Sequence, residues 1–171
     1  MVDYDLSDLA VLIVDDNAHM RTILRTILRA FGIRRIIDVG NAFLALEELK
    51  SSNIDLILLD YVMDEIDGIE FANLIRRSKD SGNVTVPIIM ISGYTELSKI
   101  QRSREAGIDE FLSKPISADK LYRRISRLLT NPRVFVRSGN GFVGPDRRRK
   151  ALPVPLEDER RINAPKVIER L

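Results

Sequence analysis

Five short apolar runs, each followed by a segment of helical period, constrain this chain more than any other feature. Residues 9–14, 34–39, 56–59, 86–91 and 109–112 read as strands. Leu56-Ile57-Leu58-Leu59 is apolar without interruption, the pattern of a strand buried on both faces of a parallel sheet. Between the runs, apolar residues recur at helical spacing. Met20, Ile23, Leu24, Ile27, Leu28 and Phe31 mark a first helix, which Gly32 closes in the left-handed conformation. Asn41 caps a second, with Ala42, Ala45, Leu46 and Leu49 inward. Ile69, Phe71, Leu74 and Ile75 mark a third, and residues 95–106 form a weakly amphipathic fourth that Gly107 ends. The last turns Leu121, Ile125, Leu128 and Leu129 inward. Such alternation implies an α/β, doubly wound parallel sheet with helices on both faces and right-handed crossovers. All five strands then point one way, and their carboxyl ends share an edge. That edge gathers Asp15, Asp16, Asp60, Ser92 and Lys114.

Ligands of open α/β sheets bind at that edge. Asp15, Asp16 and Asp60 would repel one another there, so the cluster calls for a cation. The chain has no cysteine and one histidine, His19, which disfavours zinc. All-oxygen ligands suit Mg²⁺, which holds near-octahedral geometry at roughly 2.0–2.1 Å. Lys114 opposite the carboxylates, with a divalent cation, makes a clamp for a transferring phosphoryl group while Asp60 attacks as nucleophile. Ser92 is placed to donate its hydroxyl to a phosphoryl oxygen. Each residue also has a plainer role open to it. Asp60 can end its strand and bond its own loop, and the acidic pair can complement a helix N-terminus. Lys114 can make a simple salt bridge, Ser92 can cap a loop, and Phe111 can be ordinary core. His19 faces away from the apolar stripe and reads as a solvated surface residue.

In combination the motifs resemble the receiver domain of two-component response regulators, over about residues 8–129. The resemblance rests on Val11-Leu12-Ile13-Val14-Asp15-Asp16-Asn17, on Leu59-Asp60-Tyr61-Val62-Met63 with Asp67-Gly68, on Ile91-Ser92-Gly93 and on Phe111-Leu112-Ser113-Lys114-Pro115. It implies a flavodoxin-like five-stranded sheet ordered 2-1-3-4-5. Asp60 would be the phosphoacceptor, charged by a sensor histidine kinase or a phosphotransfer protein. Asp16, Asp60 and the backbone carbonyl of Val62 would ligate Mg²⁺, with Asp15 acting mainly through water. Ser92 and Phe111 would form a switch pair, and the Lys114–Pro115 bond would be cis. A downstream protein target would meet the face made by the helix at 95–106, the fifth strand and the last helix. Two positions depart from the family pattern: Asp64 stands where proline is usual, and Gly93 where alanine is usual.

From Thr130 onward the composition shifts. Ten Lys/Arg face five Asp/Glu, against 17 basic and 20 acidic residues before it, and five of the seven prolines fall here. Residues 1–129 therefore read as the receiver domain. Residues 130–171 read as a basic, Pro- and Gly-containing extension without strand or helix periodicity or a core of its own, anchored at Phe135 and Phe142. No helix-turn-helix pattern accompanies the run Arg147-Arg148-Arg149-Lys150. The preferred reading is a stand-alone, chemotaxis-type receiver, a phosphoacceptor signalling protein and not an enzyme. Alternatives are a nucleic-acid-binding regulator acting through the basic tail, which the lack of a stacking platform disfavours, and a Mg²⁺-dependent phosphatase using Asp60. No apolar run approaches the roughly 20 residues that span a bilayer. The acidic start Met1-Val2-Asp3-Tyr4-Asp5 is unlike a signal peptide, so membrane insertion is not expected and a cytoplasmic location is.

Overall fold

The computed structural model of the protein describes residues 5–77, 83–93, 105–131, 133–138 and 142–146, with the backbone of 166–168. The strands are β1 (Ala10–Val14), β2 (Arg35–Val39), β3 (Leu56–Asp60), β4 (Ile88–Ser92) and β5 (Glu110–Ser113). They form one all-parallel sheet in the order β2-β1-β3-β4-β5. The helices are α1 (Ala18–Ala30), α2 (Ala42–Ser51), α3 (Gly68–Arg77) and α4 (Ala118–Thr130). The helix expected over 95–106 lies outside the described residues except for its end, where Gly107 has φ of 80°.

Strand alternation sorts the core into two layers. Leu12, Val14, Ile57, Leu59 and Met90 pack on one face with Ala45 of α2 and with Phe71 and Ile75 of α3. Val11, Ile13, Leu58, Ile89 and Ile91 pack on the other with Leu24 and Leu28 of α1 and with Leu121 and Ile125 of α4. The central strands are therefore buried on both sides, as their uninterrupted apolar runs require. Gly32 sits at φ of 86°, and the Asn41 side chain accepts the Leu44 N–H at 2.9 Å, so both helix ends form as their residues dictate.

Leu129, expected inward, is 45% exposed, and two other residues that mark the helical stripes, Ile23 and Leu74, are 36% and 44% exposed. On α3 the buried stripe runs through Phe71, Ala72, Ile75 and Arg76, which leaves Leu74 on the outer flank. On α4, Leu129 lies to the side of the stripe through Leu121, Ile125 and Leu128.

An arginine completes the inward stripe of α3. Arg76 is 1% exposed, and its guanidinium is held on several sides. Nε donates to the Gly107 carbonyl at 3.0 Å, Nη1 to the Val84 carbonyl at 2.8 Å, and Nη2 to Asp109 Oδ2 at 3.3 Å. Asp109 Oδ2 also accepts the N–H of Ile88 at 3.0 Å, which ties Arg76 to the start of β4. Above the guanidinium lies the Phe135 ring, its centroid 4.8 Å away.

Phe135 belongs to a second, small sheet. The stretch read as lacking strand periodicity carries β6 (Phe135–Arg137), β7 (Val143–Pro145) and β8 (Lys166–Ile168), antiparallel in the order β7-β6-β8. Three-residue strands are too short for the apolar pattern to register. The backbone approach is close: a Cβ on Gly107 would strike the Val143 carbonyl, and one on Gly144 would strike the Gly107 Cα. Farther along, Arg133 lies 3.9 Å from the Glu110 carboxylate, which Arg124 also holds at 3.1 Å.

Phe135→Ala should remove a fully buried ring and uncover the Arg76 guanidinium, lowering unfolding free energy by about 3 kcal/mol in urea denaturation. A loss under roughly 0.5 kcal/mol, the level of an ordinary surface substitution, would show that the extension is not docked here.

Candidate functional site

The parallel register brings the strand ends together. Val14 pairs with Leu59, Asp60 with Ile91 and Ser92 with Ser113. Asp15 and Asp16 thus leave β1 beside Asp60, and Lys114 leaves β5 beside Ser92, whose carbonyl accepts the Lys114 N–H at 2.8 Å. The Lys114–Pro115 peptide is cis. Oxygen atoms of Asp15, Asp16 and Asp60 all lie within 4.8 Å of one another.

Each carboxylate is held differently. Asp15 is 1% exposed. Its Oδ1 accepts the Asn17 N–H at 2.8 Å, while its Oδ2 is buried with no hydrogen bond among the described residues and 3.9 Å from Lys114 Nζ. Asn17 in turn caps α1, accepting the N–H groups of His19 and Met20. Asp60 is buried at the end of β3, and its Oδ1 meets Lys114 Nζ at 2.8 Å. Asp16 is exposed, and its Oδ2 accepts the Asp64 N–H at 3.2 Å.

Burial governs the electrostatics. It pushes the Asp15 carboxyl up to about 6, and the neighbouring Asp60 and Asp16 push the same way. The Asn17 N–H and the Lys114 charge oppose the shift. Burial also raises Asp60, against the hydrogen bond and charge of Lys114. Both groups are being asked to ionise where water does not reach.

The loop after β3 keeps its shape through Gly68, whose N–H donates to the Tyr61 carbonyl at 3.0 Å. Any Cβ there would collide with the Asp60 carbonyl, so only glycine fits. Val62, two residues past Asp60, leaves its side chain exposed. Phe111 pairs with Met90 and is half-buried against the core. By strand alternation Ser92, which is buried, projects to the same sheet face as Met90 and Phe111. His19 is exposed. The structure thus brings Asp15, Asp16 and Asp60 together, sets Lys114 against Asp60 and Asp15, and places the exposed His19 on the first turn of α1.

Two contributors escape the sequence pattern. Arg21 Nη1 donates to the carbonyls of Asp15 and Asp16 at 2.8 and 3.2 Å, while its Nε meets Asp38 Oδ2 at 3.2 Å. Its position four residues after the Asn17 cap was the available signal. The second is the main chain of Asp64, which no side-chain motif announces.

A family model described as response regulator receiver domain matches residues 11–126. The cyclic di-GMP phosphodiesterase response regulator RpfG of Xanthomonas campestris is 36% identical over 122 residues, which cover 71% of this chain and 32% of that protein. The chain therefore spans about a third of that relative's length. Chemotaxis protein CheY of Bacillus subtilis is 32% identical over 119 residues, covering 70% of this chain and 96% of that protein. Among solved structures, Vibrio cholerae chemotaxis protein CheY4 superposes with a TM-score of 0.64 at 26% identity, over 70% of this chain and 98% of that one.

The raised pKa of Asp15 fixes a sign. Between about pH 4 and pH 6 the folded chain binds more protons at Asp15 than the unfolded chain does, so this contribution to stability is lost as pH rises through that window. With divalent cations chelated, the melting temperature should be higher at pH 5 than at pH 7.5. Asp15→Asn should raise stability at pH 7.5 by up to about 3 kcal/mol and flatten the dependence. An unchanged pH profile in Asp15→Asn would contradict this account of the buried carboxyl.

Proposed function

The chain belongs to the response regulator receiver domain family of two-component systems, and from that premise we propose that Asp60 accepts a phosphoryl group and switches the chain's affinity for a protein partner. Receiver domains are signalling proteins that interact with histidine kinases and downstream targets. The observation that carries the reading is the Lys114 ammonium, 2.8 Å from the buried Asp60 carboxylate and facing Asp15 on its other side.

The donor set suits a hard divalent cation. Three carboxylates present oxygens within 4.8 Å, and the buried Asp15 Oδ2 has no hydrogen-bond donor among the described residues. Asp15, Asp16, Asp60 and the Val62 carbonyl would hold Mg²⁺. Bound there, Mg²⁺ would neutralise part of the charge on the phosphoryl oxygens.

The remaining work belongs to side chains of the chain itself. Asp60 attacks phosphorus with a carboxylate oxygen. The phosphorus–nitrogen bond to the donor imidazole breaks, and the imidazole leaves with its electron pair and takes up a proton. Lys114 is poised to pair with the transferred oxygens, which bring roughly −1.5 to −2 charges into the site. Ser92, on the sheet face it shares with Phe111, donates its hydroxyl to one of them. That movement frees space into which the half-buried Phe111 turns, so two packings of one region are biased by a single charge event.

The readout surface of this proposal includes α4, where Lys120, Arg123, Arg124 and Arg127 line a cavity of about 410 Å³. The nucleic-acid reading gains little there. Tyr122, the aromatic of α4, is half-buried and packed edge-on against Phe31 with ring centroids 5.3 Å apart, so it belongs to the packing of α4 on α1. The Arg147–Lys150 run lies outside the described residues. We place the receiver unit at residues 1–129, with 130–171 as its extension. Among the described residues no helix is long and apolar enough to cross a membrane, in keeping with a cytoplasmic site of action.

Incubation with acetyl phosphate and Mg²⁺, followed by intact-mass measurement, should add one phosphoryl group to the wild type and none to Asp60→Asn. Lys114→Ala should slow labelling at least tenfold while leaving the fold intact. Undiminished labelling of Asp60→Asn would overturn the assignment.

A further inference from the structure

One polar contact at the acidic cluster comes from a residue whose side chain has no part in the phosphoacceptor reading. The exposed carboxylate of Asp16 receives a single hydrogen bond among the described residues, from the main-chain N–H of Asp64 at 3.2 Å. Other groups near Asp16 bond its backbone: Arg21 reaches its carbonyl, not its carboxylate. The direction of the Asp16 side chain therefore depends on the loop between β3 and α3.

That loop is built to aim the N–H. Glu65 has φ of 68°, and the Ile66 N–H donates to the Asp64 carbonyl at 2.8 Å, a tight γ-turn over Asp64-Glu65-Ile66. Non-glycine residues rarely hold this conformation unless their surroundings impose it. Here the surroundings are evident. Met63 is buried on one side of the turn and Ile66 packs on the same core layer at the other. Asp67 Oδ1 accepts the Glu70 N–H at 2.8 Å, and the Gly68 N–H closes onto the Tyr61 carbonyl. A fixed loop delivers one fixed donor.

We propose that Asp64 is a positioning residue for the acidic site: its backbone N–H orients the Asp16 carboxylate for a divalent cation. The role requires a residue with an N–H at position 64. Proline, the residue usual at this place in the resembling pattern, has none. The hydrogen bond occupies Asp16 Oδ2 and leaves Oδ1 for the cation, so the carboxylate enters the site already aligned and loses less freedom on binding. The inference rests on the cation reading of the cluster and concerns how one of its ligands is held.

The test separates backbone from side chain. Mg²⁺ affinity is measured by calorimetry for the wild type, Asp64→Asn, Asp64→Ala and Asp64→Pro. The first two variants keep the N–H and should bind within about threefold of wild type. Asp64→Pro should bind at least fivefold more weakly. On an Asp16→Ala background, Asp64→Pro should add no further loss, because the acceptor it serves is gone. Should Asp64→Pro not fold, amide exchange gives the answer without it. Exchange of the Asp64 N–H should quicken at least fivefold in Asp16→Ala, with that of Glu65 unchanged. Equal affinities for Asp64→Pro and wild type, or an Asp64 exchange rate indifferent to Asp16, would overturn the proposal. Failure of the wild type itself to bind Mg²⁺ would instead strike the cation reading on which it stands, and this role with it.

Discussion

Mutual repulsion of Asp15, Asp16 and Asp60 is the constraint around which the carboxyl edge of the sheet is built. Two of the three are buried, where charge is poorly screened and ionisation is disfavoured. The fold answers with donors from four directions. Lys114 comes from the end of β5, Asn17 from the start of α1, and the Asp64 N–H from the loop after β3. Arg21 braces the two carbonyls of the acidic pair from within α1. Even so, Asp15 Oδ2 has no hydrogen bond among the described residues. A buried polar atom left this way costs on the order of 1–3 kcal/mol, and a functional site is where such a cost is retained.

The rest of the sheet exists to hold those ends still. Parallel pairing sets Asp60 beside Ile91, one residue short of Ser92, and two apolar layers clamp the strands from both faces. Near the start of β4 and β5 the buried Arg76 binds Asp109 and the Gly107 and Val84 carbonyls, and Phe135 closes over it. A buried guanidinium held by three hydrogen bonds ties together the groups around it, and any lost partner leaves a charge uncompensated. The extension thereby contributes to the receiver on the side of β5 that is remote from the acidic cluster.

Much of this was legible in the residues, and for identifiable reasons. The fivefold alternation gave the parallel sheet because a helix and a strand bury apolar groups at different periods. Asp15, Asp16, Asp60, Ser92 and Lys114 could be gathered on one edge before any geometry, since parallel strands share a direction. Gly32 and Asn41 announced their helix ends through backbone freedom and side-chain capping. What stayed hidden was of another kind. Arg76 looks like a solvated charge in sequence, and nothing local says that Asp109 and Phe135 will enclose it. Leu74 fits a helical stripe by spacing and still lies on the exposed flank, because the stripe turned toward Arg76. Strands of three residues, such as β6 and β7, carry too few positions for a period to show. The Asp64 contact runs through a main-chain N–H, which every residue but proline possesses, so no motif could mark it.

Buried carboxylates whose ionisation is disfavoured by burial would form the site for a divalent cation. Calorimetric titration of Mg²⁺ at pH 6, repeated in buffers of different ionisation enthalpy, tests it most directly, because metal binding must expel any proton held at Asp15. One binding event is expected, with net release of a substantial fraction of a proton, falling toward zero at pH 8. Binding with no proton release at pH 6, or no binding at all, would contradict it.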